Sequence, residues 1–469
     1  MKTAAKWNFS KKFKGRIRQF SASIIVNIMN VAHGVALGWP SPSLPILRTN
    51  KELFGALSDD QESLTGSLPY LGALLSTPLF SYINQHMGRK TAGYISAVPN
   101  VVGWLLVIFG DSVTLLCIGR FILGLGLSGM NIFITLYIGE VSEDSLRGTL
   151  GALRGLALDT GFLLIYVVGS YLSIRNTAII SISLPLFFIL TYIWLPESPM
   201  FLLGKGNDKK AFESYLWMRG NDSKVAEEEM SKLRAIMAEN SAKVQKVTVK
   251  ELLSVRGTRK ALLIGIVLAV CQQLSGLNPV FSYCAVIFEM TGGYFAPNIS
   301  SFIVSAVTLL GSFFCFFFSD KLGRRVLLIS TYTLQGICLC ILGLYMYMKH
   351  LGMDVSAFGV LPVVSISFYC FFVVVGPCNM YYVVLSEIFR PEARGFAMGL
   401  TTTSLWILSF ISLQFYSTLV NLLYGHGTFW VFAAFSFIGA LFIYIVLPET
   451  KNRSLESILK EMDGVNDKT

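Results

Sequence analysis

Of the 469 residues, 53% are hydrophobic, 13% aromatic and only 14% charged, against about 25% charged in soluble domains. The apolar residues fall in repeated blocks near the ~20 residues a helix needs to cross about 30 Å of hydrocarbon, which excludes a soluble enzyme and marks a polytopic membrane protein. The net charge of +10 sits in loops, so it follows membrane topology and points to no nucleic acid.

Ahead of the first block stand seven basic residues and no acid: Lys2, Lys6, Lys11, Lys12, Lys14, Arg16 and Arg18. The stretch that follows is long and lacks a small-residue cleavage site, so it reads as a retained span and not a removed signal peptide. Apolar blocks then predict spans at 19–40, 64–83, 91–110, 113–138, 148–172, 177–195, 261–287, 299–319, 326–347, 358–385, 395–420 and 428–447. With the amino terminus inside, the inner segments hold 32 Lys/Arg and the outer ones four (Arg48, Lys51, Arg175, Lys349), with Arg120 and Arg154 left inside spans. That asymmetry predicts that both termini are cytoplasmic.

The rhythm breaks at 196–260, where 13 basic and 9 acidic residues separate spans six and seven. The predicted organisation is a cytoplasmic segment 1–18, a six-helix bundle 19–195, a cytoplasmic linker with short helices 196–260, a second six-helix bundle 261–447 and a cytoplasmic tail 448–469. Within the linker, Asp222 to Asn240 reads as a charged surface helix, with Glu227, Glu228 and Glu229 ahead of Lys232 and Arg234. Cys117, Cys271, Cys284, Cys315, Cys338, Cys340, Cys370 and Cys378 all lie in apolar blocks without metal-ligand spacing and read as small packing residues. Asn298-Ile299-Ser300 is a glycosylation pattern in a predicted outer loop. Asn8, Asn221 and Asn452 match the same pattern on the inner side, where it should go unused. There is no phosphate loop, metal-ligand spacing or nucleophile motif, which argues against an enzyme.

Three landmarks recur in order. Gly88-Arg89-Lys90 after span two is matched by Gly323-Arg324-Arg325 at the end of the run from Asp320. Glu140 with Arg147 seven residues on is matched by Glu387 with Arg394, and Pro196-Glu197-Ser198 by Pro448-Glu449-Thr450. The offsets are 235, 247 and 252 residues, the mark of two parallel copies and of a pseudo-symmetric cavity between them. Arg89, Glu140, Arg147, Arg324, Arg325, Glu387 and Arg394 are the candidate gate residues, expected to pair across the halves and hold the cytoplasmic side shut. The blander reading is that they only mark the membrane boundary.

Span seven carries Gln272, Gln273 and Asn278, whose amides are costly in hydrocarbon unless partnered and are suited to sugar hydroxyls. On an unbroken helix Gln272 and Asn278 would not share a face, but Gly276 and Pro279 permit local unwinding. The alternative role is glue between helices.

These residues resemble the sugar porters of the major facilitator superfamily, which include facilitative glucose transporters and insect trehalose transporters. The resemblance spans about 20–455. It rests on Gly119-Arg120, Glu140 to Gly148, Pro196 to Pro199, Gln272 to Asn278, Asp320 to Arg325 and Pro448 to Thr450, and Gly38-Trp39-Pro40-Ser41-Pro42 looks like the insect branch. It implies an all-α membrane protein of twelve transmembrane helices in two pseudo-symmetric halves, the major facilitator fold. It also implies alternating-access transport of a hexose or trehalose, without a cofactor, by a monomer in the plasma membrane. Facilitative transport is the leading expectation, and a proton-coupled symporter or a non-transporting sugar sensor are the alternatives.

The resemblance carries Trp406 over as a lining residue and puts Tyr382 where a Trp is usual. The chain departs from the family pattern at Gln85 (usually Asp), Thr308 (Asn), Leu405 (Asn) and in Gly376-Pro377-Cys378-Asn379-Met380-Tyr381-Tyr382, which keeps only its first pair. Asp159, near the midplane of span five, is a candidate for proton coupling or sugar contact. Arg154, five residues before it, is badly angled to pair with it along one helix. His33 is expected to be a hydrogen-bonded core residue, and Arg120 to tie span four to a neighbour.

Overall fold

The computed structural model describes residues 2–49, 54, 57–243, 254–318, 323–390, 393–451, 453 and 455–463; Lys51, Asp320, Lys321, Leu322 and Asn452 lie outside them. Among the described residues all regular structure is helical. Spans one to six are Lys2–Gly38, Asp59–Met87, Arg89–Phe109, Val113–Val141, Arg147–Tyr171 and Ile174–Tyr192. Span seven comes in three pieces, Arg256–Leu274, Leu277–Ser282 and Cys284–Thr291. Spans eight and nine are Pro297–Phe318 and Arg324–His350. Span ten joins Leu361–Val373 to Asn379–Ile388 through a π turn at Val374–Cys378, and Arg394–Gln414 and Tyr416–Val446 complete the set.

Several predicted borders shift. The first helix starts at Lys2, so the basic segment ahead of span one is helical too. Span eleven ends at Gln414 and not near 420, because the next helix already begins at Tyr416 and bends at Tyr424, whose φ is 58°.

Eleven of the twelve spans are apolar enough to cross a membrane by length and composition, and span two is the exception. Its polarity is one-sided. Ser63, Ser67 and Tyr70, spaced i, i+4, i+7, share a face, and all three are buried. A capping box starts the helix: Ser58 accepts the Gln61 N–H (3.3 Å), and Gln61 accepts the Ser58 N–H (3.0 Å). Asp59, Asp60 and Glu62 favour the positive end of the helix dipole.

In the first group of helices span four packs on spans two and three, and span one on span five; in the second, span nine packs on spans ten and twelve. Spans two and eleven, and spans five and eight, join the groups. Between the groups lie the helices Pro199–Gly204, Asp208–Met218 and Ser223–Lys243. These dock on the first group, where Arg18 donates to Trp217 O (2.7 Å) and the buried Arg219 to Val141 O (3.1 Å).

Bonds between the groups concentrate away from this linker. Ser63 meets Ser417 (3.0 Å), Ser67 meets Gln414 (2.8 Å), Ser41 accepts the Ala285 N–H (3.1 Å), and Tyr166 donates to Phe281 O. One apolar core runs through both groups and reaches Met218 of the linker. Toward the linker end Ile264, Leu328, Leu385 and Ile443 form a separate core within the second group. Among the described residues, the hydrogen bonds between the groups gather toward the end remote from the linker.

Candidate functional site

Span seven breaks because Gly276 adopts φ 88°, ψ 14°, the left-handed region that favours glycine; a Cβ there would fall on the Phe432 ring. Tyr369 of span ten secures the break by donating to Ser275 O at 3.0 Å. The break turns Asn278 back toward Gln273, so that its Nδ2 donates to Gln273 Oε1 at 2.6 Å. Tyr70 then reaches across from span two and donates to Asn278 Oδ1 at 3.0 Å. Trp406 stands beside Tyr70, ring centroids 6.1 Å apart.

Gln273, Asn278 and Trp406 thus converge, together with Tyr70, which the sequence reading missed. The signal was available in the polar i, i+4, i+7 stripe of span two. Gln272 points elsewhere, to Cys378 of span ten (Nε2 to Sγ 3.8 Å), and its buried Oε1 has no partner among the described residues. Tyr382, one helical turn beyond Cys378, lies under the Arg154 guanidinium at 5.7 Å.

Asp159 stands apart from the amide cluster. It is buried at the contact of spans five and eight and accepts a hydrogen bond from Ser312. Arg154 does not pair with it; instead it donates to Asn131 Oδ1 and to Thr135 Oγ1 (3.1 Å) of span four. His33 departs from expectation: it is buried, but its Nε2 has no partner among the described residues. Arg120 ties span four to two neighbours, donating to Thr65 O (2.9 Å) and Ala36 O (2.6 Å) and lying 5.4 Å over the Trp39 ring.

The described state does not bring the gate candidates together across the halves. The ion pairs between described residues stay within one group. Arg89 meets Glu140 (2.6 Å) in the first, and Arg324 meets Glu387 (3.4 Å) in the second. Arg147 takes Asp144, three residues back, at 2.9 Å. Arg394 reaches Phe389 O at 3.5 Å, and Arg325 donates to Tyr444 O.

The repeated landmarks interlock inside each half. Glu197 accepts the backbone N–H groups of Arg89 (3.0 Å) and Lys90 (3.0 Å) at the start of span three. Glu449 accepts those of Arg324 (3.0 Å) and Arg325 (3.2 Å) at the start of span nine. A carboxylate at a helix N-terminus satisfies orphan donors and meets the positive dipole end. Burial pushes the Glu197 carboxyl up, and the N–H bonds from Ser198, Lys90 and Arg89 oppose that shift. Gly88 and Gly323 are required by this approach, since a Cβ on Gly323 would lie 2.6 Å from Glu449 Oε2 and one on Gly88 would strike Glu197.

Asn298 is exposed as expected, but it sits in the first turn of span eight and not in a loop, with Ser300 buried. All eight cysteines are free. Among the described residues there is no cluster of three or more metal-ligating side chains.

A family profile described as "Sugar (and other) transporter" matches residues 23–461. The facilitated trehalose transporter Tret1 of Bombyx mori is 32% identical over 440 residues, covering 94% of this chain and 86% of its own length. That of Polypedilum vanderplanki is 30% identical over 446 residues, with 95% and 88% covered. Among solved structures, the inward-open xylose transporter XylE from E. coli superposes with a TM-score of 0.77 at 20% identity, covering 94% of this chain and 99% of that one. The interlocked landmarks, the broken span seven and the match along nearly the whole chain lead to one conclusion: the protein is a multi-pass membrane protein of the sugar transporter family, with the twelve-helix major facilitator fold.

Proposed function

We propose that the chain carries a sugar, a hexose or trehalose, across the plasma membrane by facilitative alternating access, working as a monomer with both termini and the linker in the cytosol. The carrying observation is the one-sided seal, in which the hydrogen bonds between the groups gather, among the described residues, toward the end remote from the linker. On this reading the described state opens to the cytosol. Support for the orientation is the 32 to 4 excess of Lys/Arg in the inner segments, and support for the sugar is the trehalose-transporting relatives.

Gln272, Gln273, Asn278 and Tyr70 offer donors and acceptors to hydroxyls, and Trp406 offers an apolar ring face. Transport requires the outer seal to part and the cytosolic end to close. In that second state Arg147 and Arg394, both exposed here, are free to find partners across the cleft. The gate pairs then belong to the state not described, while Arg89–Glu140 and Arg324–Glu387 stiffen each half as it rocks.

Proton coupling is the second reading, favoured by the buried Asp159 carboxylate bridging the groups through Ser312. Purified protein in liposomes tests both. Labelled trehalose and hexoses should equilibrate with saturable kinetics and no response to an imposed pH gradient, and Gln273→Ala or Asn278→Ala should weaken uptake at unchanged protein level. Wild-type liposomes that take up none of these sugars would refute the reading, and accumulation driven by the pH gradient would replace facilitation with symport.

A further inference from the structure

Arg154 is a cation inside a membrane span without an anion. Its guanidinium is held by neutral partners, Asn131 and Thr135 of span four and the ring face of Tyr382, and no carboxylate among the described residues bonds to it. Asp159, the nearest acid along the helix, is turned to Ser312. An isolated charge inside a span costs several kcal/mol unless it finds a partner or water, and these bonds use two of the five N–H donors of the guanidinium.

Three features put this cation on the sugar path. Arg154 belongs to the first group and Tyr382 to the second, so the guanidinium spans the cleft between them. Tyr382 stands one turn from Cys378, the contact of Gln272, and i, i+4 neighbours on a helix are about 5–6 Å apart, less than the length of a hexose. Gly155, next to Arg154, lets span ten come close, with Asn379 Oδ1 only 3.2 Å from the place of a Cβ. The cleft here presents a fork of cationic donors, and Asp159 is the acid that stands near it, turned to Ser312.

We infer that the chain accepts sugars bearing a carboxylate, hexuronates and aldonates, with Arg154 as the specificity-determining residue that takes the carboxylate as an ion pair. The inference rests on the cleft being a sugar path. The oxygens of the carboxylate would use the free guanidinium donors while the sugar hydroxyls address the amides of span seven. The thinned polar pattern of span ten fits a ligand held at one end by charge.

Proteoliposomes test it with labelled D-glucose and D-glucuronate, and with the methyl ester of glucuronate as a neutral isostere. Wild-type protein should take up glucuronate, and unlabelled glucuronate should compete with glucose better than its methyl ester does. Arg154→Gln should lower the ratio of glucuronate to glucose uptake about tenfold or more, the scale of one lost charge-assisted bond. Arg154→Lys, which keeps charge but not the fork, should lower it less. A wild type that moves glucose but neither moves nor binds glucuronate overturns this inference and leaves the sugar path standing. A ratio unchanged in Arg154→Gln also overturns it and makes Arg154 a latch onto Tyr382. Failure of every sugar overturns the path and the inference together.

Discussion

Replacing Tyr70 with Phe removes one hydroxyl and nothing of the ring that packs on Trp406. The lost bond, 3.0 Å to Asn278 Oδ1, joins the two groups, so it exists only while the sealed end is closed. A buried hydrogen bond is worth about 1 kcal/mol net, and about 0.6 kcal/mol is the average in a membrane bundle. Either value acts only on the closed state, so the ratio of open to closed at the sealed end should rise roughly three- to fivefold. Opening also lets water reach the orphaned Asn278 oxygen, which pushes the same way. The reporter is Ser63→Cys, a buried position that meets Ser417 across the seal. Its labelling by a membrane-impermeant maleimide from the outside, compared with and without Tyr70→Phe, should accelerate by that factor. An unchanged or slower rate in folded protein would show that this contact does not hold the seal.

Gly276→Ala should cost about 1–2 kcal/mol from the left-handed backbone alone, and more from the Phe432 ring; a melting temperature equal to wild type would contradict this. Arg394→Gln should raise cytosol-side labelling of a cysteine placed at Gly399, because it weakens only the state closed at the cytosolic end, and no rise would count against the gate. Asp159→Asn keeps an acceptor for Ser312 while removing the charge, so exchange of labelled sugar at equal concentrations should persist within about twofold, on the scale of a spared hydrogen bond. If Asp159 contacts the sugar, exchange itself should collapse.

Much of the molecule was legible along the chain. Eleven of the twelve helices follow from hydropathy, and the break in span seven from Gly276 and Pro279, because membrane insertion and backbone freedom are local properties that need no partner. The repeated landmarks also announced the duplication. What remained hidden was the partner of each landmark. Glu197 and Glu449 cap the helices that begin at Arg89 and Arg324, and in the described state the Arg–Glu pairs stay within their own halves. Spacing places a charge at a membrane boundary but leaves the facing helix open, and the same residues face different neighbours in different states. Tyr70 reaching Asn278, Asp159 turned to Ser312 and Arg154 resting on Tyr382 join residues 153 to 228 positions apart. Only the packing of one half against the other decides such contacts, because in hydrocarbon a polar group takes whichever partner the assembled bundle brings within reach.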